Sequence, residues 1–286
     1  MEKNKKTQYL SLKQYGFSST LLEYIYAYDY YPLEAIFDKK SIAYADSIHK
    51  FTKKDFDLSL NYGQYYSFVE KFLLDELGFL SDENIKIYFK FDNNDIDEFL
   101  PKSQQPLFFY SKGDSNLLEK ENKRVSVIGT RNPSSMFIKE ADPVLKNYID
   151  NGYVIVSGLA EGVDTFAHNT ALEKNGKTIA VLPTNFIKVY PKNNIDLSMK
   201  IAEKGLLLSS IGPYENTYKS SFLERNGYVA AISEEIFVVE TAIRSGTMNT
   251  IRQASKMKKK ITFLDQKDKK LNDYIIGLGG KVVGHT

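Results

Sequence analysis

The chain has 286 residues, a formal net charge of +2, 42% apolar and 26% charged residues. These values fit one or two globular domains with a buried core, and they argue against a disordered chain. It contains no cysteine, which removes disulfide frameworks and thiolate metal sites, and its three histidines, His49, His168 and His285, are too far apart in sequence to suggest a zinc set.

The first residues, MEKNKKTQYLSL, are basic, but no apolar run follows them. No segment approaches the ~18 apolar residues of a membrane-spanning helix. The expectation is a cytoplasmic protein with no secretory leader and no membrane segment. So small a net charge does not argue for a nucleic-acid partner, although a local basic patch would still serve one.

Residues 1–105 read as a mainly helical domain rich in Tyr and Phe. Leu21, Leu22, Ile25, Tyr26 and Tyr28 recur at helical spacing, and Pro32 and the polar stretch Asp46–Lys54 punctuate the helices. The rings follow helical spacing and do not alternate with Lys or Arg, so they are expected to form a core and not a base-stacking surface. Ile85–Phe91 (IKIYFKF) reads as a strand.

Residues 106–286 change pattern. The runs VSVIGT, VIVSGL, TIAVL, LLLSS, IFVVE and ITFLD alternate with helical segments. Strands that are apolar almost throughout are buried on both faces, which predicts an α/β fold. The sheet should be mostly parallel and doubly wound, an extended Rossmann-like architecture behind the small helical domain. Ligands of such sheets sit at the strand carboxyl ends.

Those ends carry small residues and polar groups. Gly129, Thr130 and Arg131 follow the first strand of this region. Ser157, Gly158 and Gly162 follow the next, and Ser245, Gly246 and Thr247 open a later helix. Small residues let backbone N–H groups approach an anion, and each helix that follows points its positive end the same way. Asp164 and His168 lie four apart on one helix face, a spacing open to a metal pair or an acid–base pair; without a third orienting group, Asp164 is expected to cap or brace the turn and His168 to bond to backbone or ligand. Arg225 and Asn226 precede an apolar helical run, and Lys177 begins a strand, on the opposite edge of the sheet from the turns. Neither G-x-G-x-x-G after the first strand nor G-x-x-x-x-G-K-[ST] occurs, which argues against a dinucleotide fingerprint and a P-loop.

Taken in order, Gly129–Arg131, Ser157–His168, Gly176–Leu182, Tyr190–Asn194, Leu206–Ser209, Phe222–Asn226, Val238–Glu240 and Ser245–Thr250 resemble the signature of the DprA/Smf (DNA-processing protein A) family. The resemblance runs from about Phe108 to Leu264. It implies a Rossmann-like domain that binds single-stranded DNA, delivers a RecA-type recombinase onto it during natural transformation, and forms a homodimer. It also implies no enzymatic activity and no cofactor. By position, Arg131 and Lys177 match basic residues of the family's DNA pocket, and Arg225 matches the first arginine of its R-N-R.

Three departures stand out. Pro183-Thr184-Asn185 replaces the family's G-T-G turn, Ser209-Ser210 its S-E, and Gly227 the second arginine of its R-N-R. The residues after Asp265 are too few for the winged helix of many relatives. Two other readings follow from the same strand ends: a sensor of small nucleotides, and a phosphoribohydrolase. The latter is disfavoured because Asn249 and Thr250 stand where carboxylates would be needed.

Overall fold

The computed structural model describes residues 5–28, 32–37, 52–213 and 215–283. Residues 46–51 of the expected polar punctuation, together with His49 and His285, lie outside them. Two compact units arise by contact: Met1–Ile85 with Phe89–Phe91 and Pro106–Phe108, and Lys86–Tyr88 with Asp92–Gln105 and Phe109–Thr286.

The first unit is helical: α1 (Lys5–Tyr15), α2 (Ser19–Ala27), α3 (Pro32–Phe37), α4 (Lys53–Ser59) and α5 (Tyr62–Asp82). Its rings make the core, with Tyr9, Phe17, Tyr65 and Phe72 buried, while Tyr28, Tyr62 and Tyr66 are exposed. Buried Asp55 ties two helix starts together. Its carboxylate accepts from the N–H and hydroxyl of Ser18, the N-cap of α2, and from the hydroxyl of Thr52, the N-cap of α4.

Among the described residues, nine strands form one sheet in the order β1-β2-β6-β5-β4-β3-β7-β8-β9. They are β1 (Ile85–Phe89), β2 (Phe108–Gly113), β3 (Arg124–Ile128), β4 (Val154–Ser157), β5 (Thr178–Leu182), β6 (Leu206–Ser209), β7 (Glu235–Val238), β8 (Lys260–Phe263) and β9 (Gly280–Val282). Strand β2 pairs antiparallel with β6, and every pair from β6 across to β9 is parallel. The order β5-β4-β3-β7-β8-β9 is that of the Rossmann sheet, whose strand order reverses between β3 and β7.

The helices that follow are α6 (Ser135–Asp150), α7 (Val163–Glu173), α8 (Ile195–Lys204), α9 (Lys219–Ile232), α10 (Gly246–Lys256) and α11 (Lys269–Gly277). Side chains alternate across the sheet with a period of two. On β4, Ile155 packs with Val127, Phe237 and the α6–α7 residues Leu145 and Ala167. Its neighbours Val154 and Val156 pack on the other face, with Val229 of α9 and Ile251 of α10. Helices therefore cover both faces, which is why β3 to β7 are buried at every position. The sequence reading of a mostly parallel sheet behind a helical N-terminal part holds. Strand β9, half-exposed and containing Gly280, was not expected.

Candidate phosphate-binding site

A cavity of about 310 Å³ opens at the carboxyl ends of β3, β4 and β7, beside the reversal of strand order. Ten of the expected residues line it: Gly129, Thr130 and Arg131; Gly158 and Asp164; Arg225 and Asn226; Ser245, Gly246 and Thr247. The floor is Ile128, Val229 and Thr250, all buried.

Three contacts hold the turns in register. The Thr130 N–H donates to the Glu240 carbonyl (2.8 Å), and the Glu240 carboxylate accepts from the Ser134 N–H (2.8 Å). Ser134 in turn is the N-cap of α6. Thr247 donates its hydroxyl to the Gly129 carbonyl (2.9 Å), which joins the start of α10 to the turn after β3. At α10 the Ser245 hydroxyl accepts from the Met248 N–H (3.1 Å), so the cap is filled while the N–H groups of the first turn face the cavity end of the helix. Gly162 starts α7 at φ 78°, and a Cβ there would lie 2.5 Å from the Thr130 carbonyl oxygen and 2.4 Å from that of Arg131. Only glycine allows this approach.

Arg225 is the electrostatic centre. It is 7% exposed, and its Nη1 donates to the Gly158 carbonyl and lies 4.0 Å from Asp164 Oδ2. Its Nε is buried with no hydrogen-bond partner. Burial pushes its pKa down; Asp164 opposes the shift, and neighbouring Arg131 adds to it. A guanidinium stays protonated regardless, so the cavity lining carries two positive charges, Arg131 and Arg225, against the one carboxylate of Asp164. Arg131 itself is exposed and has no side-chain partner among the described residues.

Asp164 Oδ2 accepts from the N–H groups of Gly158 and Ala160, each at 3.1 Å. Burial raises its pKa, while Arg225 and these N–H groups pull it back. His168 is fully buried, and its Nδ1 lies 2.7 Å from Thr178 Oγ1. Thr178 gives its only hydroxyl proton to the Ile155 carbonyl (2.7 Å), so Nδ1 must carry the hydrogen and Nε2 the lone pair. Burial, with a smaller contribution from Arg225, pushes the ring pKa down to about 3. Asp164 and His168 thus face different partners and form neither a metal pair nor an acid–base pair with each other.

Four expected residues do not line the cavity. Ser157 is buried, donating to the Val127 carbonyl, while Gly162 and His168 stand behind the wall. Lys177 directly precedes β5, at the amino ends of the parallel strands, its Nζ 3.9 Å from Asp114.

A side pocket shares Arg131, Gly158, Ala160 and Arg225 with the cavity and adds Glu161, whose carboxylate accepts from the Asn193 side chain (2.9 Å), together with Tyr190 and Phe222, whose rings meet edge-on at 5.6 Å. Sequence reasoning did not assign these two rings to the site. Phe222 sits one helical turn before Arg225, and that spacing was the signal available.

The description "DNA recombination-mediator protein A" belongs to a family model that matches residues 91–274, more than half of the chain. The chain is 39% identical over 149 residues to DNA processing protein DprA of Streptococcus pneumoniae, covering 52% of each. It is 34% identical over 149 residues to that of Bacillus subtilis, covering 52% of this chain and 50% of the relative. The chain spans about half the length of the curated relatives it matches. The X-ray structure of DprA from S. pneumoniae superposes with a TM-score of 0.68 at 27% identity, over 99% of this chain and 96% of that one. DNA processing protein A from Helicobacter pylori, described for its single-stranded DNA binding mode, gives 0.61 at 30% identity over 71% and 92%. The chain belongs to the DNA recombination-mediator protein A family.

Proposed function

We propose that the protein binds single-stranded DNA at this cavity and, as a homodimer in the cytoplasm, assists loading of a RecA-type recombinase, without catalysing a reaction. One observation carries the DNA reading: Arg131 and Arg225 converge on a cavity at a helix N-terminus, with Arg131 and the Arg225 Nε both lacking partners. Two guanidinium groups this close repel each other until an anion comes between them, and a backbone phosphate is such an anion. Exposed Lys188, Lys192, Lys219 and Arg244, near the cavity in sequence, have no side-chain partners among the described residues and would extend the positive charge beyond one phosphate. The H. pylori relative's description as a single-stranded DNA binder supports the same reading. The non-enzymatic role is supported by Asp164 and His168, which are committed to holding the fold. The homodimer and the recombinase rest on family resemblance alone.

Titration of a labelled oligonucleotide at several salt concentrations tests this. Arg131→Ala should weaken binding and shallow the log–log salt slope by about 0.7, the value for one single-strand phosphate contact. Unchanged affinity and slope would reject the site.

A second reading, a small nucleotide ligand, is favoured by the apolar floor at Val229 and Ile128, which would suit a base. A thermal-shift series with mononucleotides and cyclic nucleotides separates the two: stabilisation by these, with no oligonucleotide binding, would select it.

A further inference from the structure

The turn after β5 reads Pro183-Thr184-Asn185, where family resemblance leads one to expect glycines on either side of a threonine. This replacement does not simply stiffen the turn. Asn185 is 2% exposed, and its side chain makes three hydrogen bonds. Its Oδ1 accepts from the N–H groups of Ile187 (3.1 Å) and Lys188 (2.8 Å), and its Nδ2 donates to the Glu215 carbonyl (3.2 Å). Ser209 fastens the same turn from below, donating to the Thr184 carbonyl at 2.8 Å. Phe186 and Val189 pack onto the core of Leu182, Leu197 and Ile201. Their neighbours Ile187, Lys188 and Tyr190 are left facing outward. A glycine in place of Asn185 could make none of its three side-chain bonds.

The loop ends at the binding site. Tyr190 and Pro191 line the side pocket together with Arg131, Glu161 and Arg225. Lys188 is exposed and has no side-chain partner among the described residues. Holding a long cation in place before binding lowers the entropy lost on contact.

We infer that Asn185 is a positioning residue, which fixes the Phe186–Tyr190 loop so that Lys188 meets a phosphate of the strand as it leaves the cavity past Tyr190. The inference rests on the single-stranded DNA reading above. It assigns a contact beyond the cavity, so the ligand class it requires is a polymer and not a mononucleotide.

The test is anisotropy titration of labelled oligothymidylate against the full chain across a salt series. It compares the unsubstituted protein with Asn185→Ala, Lys188→Ala, the double variant and Asn185→Ser, which keeps an acceptor and adds no charge. Lys188→Ala should shallow the salt slope by about 0.7. Asn185→Ala should shallow it as much, the double variant no more than either single change, and Asn185→Ser should recover part of it. A purely structural role would lower the melting temperature and leave the slope alone. A wild-type slope in Asn185→Ala, or additive losses in the double variant, overturns the inference while leaving the DNA reading intact. Absence of binding by the unsubstituted chain overturns both.

Discussion

Arg225 occupies the space that a side chain at Gly158 would need: a Cβ built on Gly158 would lie 1.5 Å from Arg225 Nη1. The glycine after β4 and the arginine on α9 are therefore one unit. Gly158→Ala must displace the guanidinium. Overpacking of this kind costs about 1–3 kcal/mol, readable by urea unfolding. Oligonucleotide affinity should fall with it, because Arg225 can no longer face the cavity.

Removing the arginine tests the other half of that unit. Arg225→Met leaves the buried Asp164 without its countercharge, and breaking such a pair costs about 3–5 kcal/mol. Adding Asp164→Asn should recover much of that stability and none of the DNA affinity. Chemical unfolding and anisotropy on the three proteins separate the structural from the binding role.

Gly227 offers the opposite experiment, a gain. A Cβ built there meets nothing within 4 Å, and the residue lies within α9, next to Asn226 of the cavity wall. Gly227→Arg should stabilise the helix by up to about 1 kcal/mol. It should also tighten oligonucleotide binding and steepen the salt slope by about 0.7. An unchanged slope would mean that this helix turn does not face the strand.

His168 makes stability depend on pH. In the unfolded chain the ring takes up a proton near 6.5, but in the fold not until about 3. Its contribution is complete above pH 6.5 and is lost as the pH falls from 6.5 towards 3, by up to about 1.4 kcal/mol per pH unit. Asp164, whose pKa the fold raises, works in the opposite sense above its ordinary 3.8, so wild-type behaviour is the sum of the two. His168→Asn keeps a donor for Thr178 and removes the titration. The stability gap between wild type and variant should hold above pH 6.5 and narrow from there to pH 4 in thermal unfolding, and a constant gap would contradict this assignment.

The strands and the turns between them were legible because their signal is local. Runs such as Val125–Ile128 and Thr178–Leu182 are continuously apolar, and Gly129 and Gly158 directly follow β3 and β4. The site's cross-links were not legible. Glu240 holds the N–H of Ser134 across 106 residues, and Asn185 reaches Glu215 across 30, so neither pairing leaves a mark on nearby sequence. The Asp164–His168 spacing invited a shared role, yet Asp164 turns to the strand-end N–H groups and His168 to the threonine of β5. Strand β9 was missed for the reverse reason, since an edge strand that is half-exposed needs no apolar run.

The reversal of strand order beside the cavity also has a kinetic side. The walls belong to β3 and β7, which pair Val125 with Glu235, 110 positions further along the chain. Long-range pairing of this kind is slow, because the intervening chain must be ordered before the contact rewards it. During synthesis β3 and β4 can meet early, but Ser245–Thr247 must leave the ribosome before the cavity has its second side. Oligonucleotide binding is then a late marker of folding: a nascent or refolding chain should regain most of its helical signal before it regains any affinity.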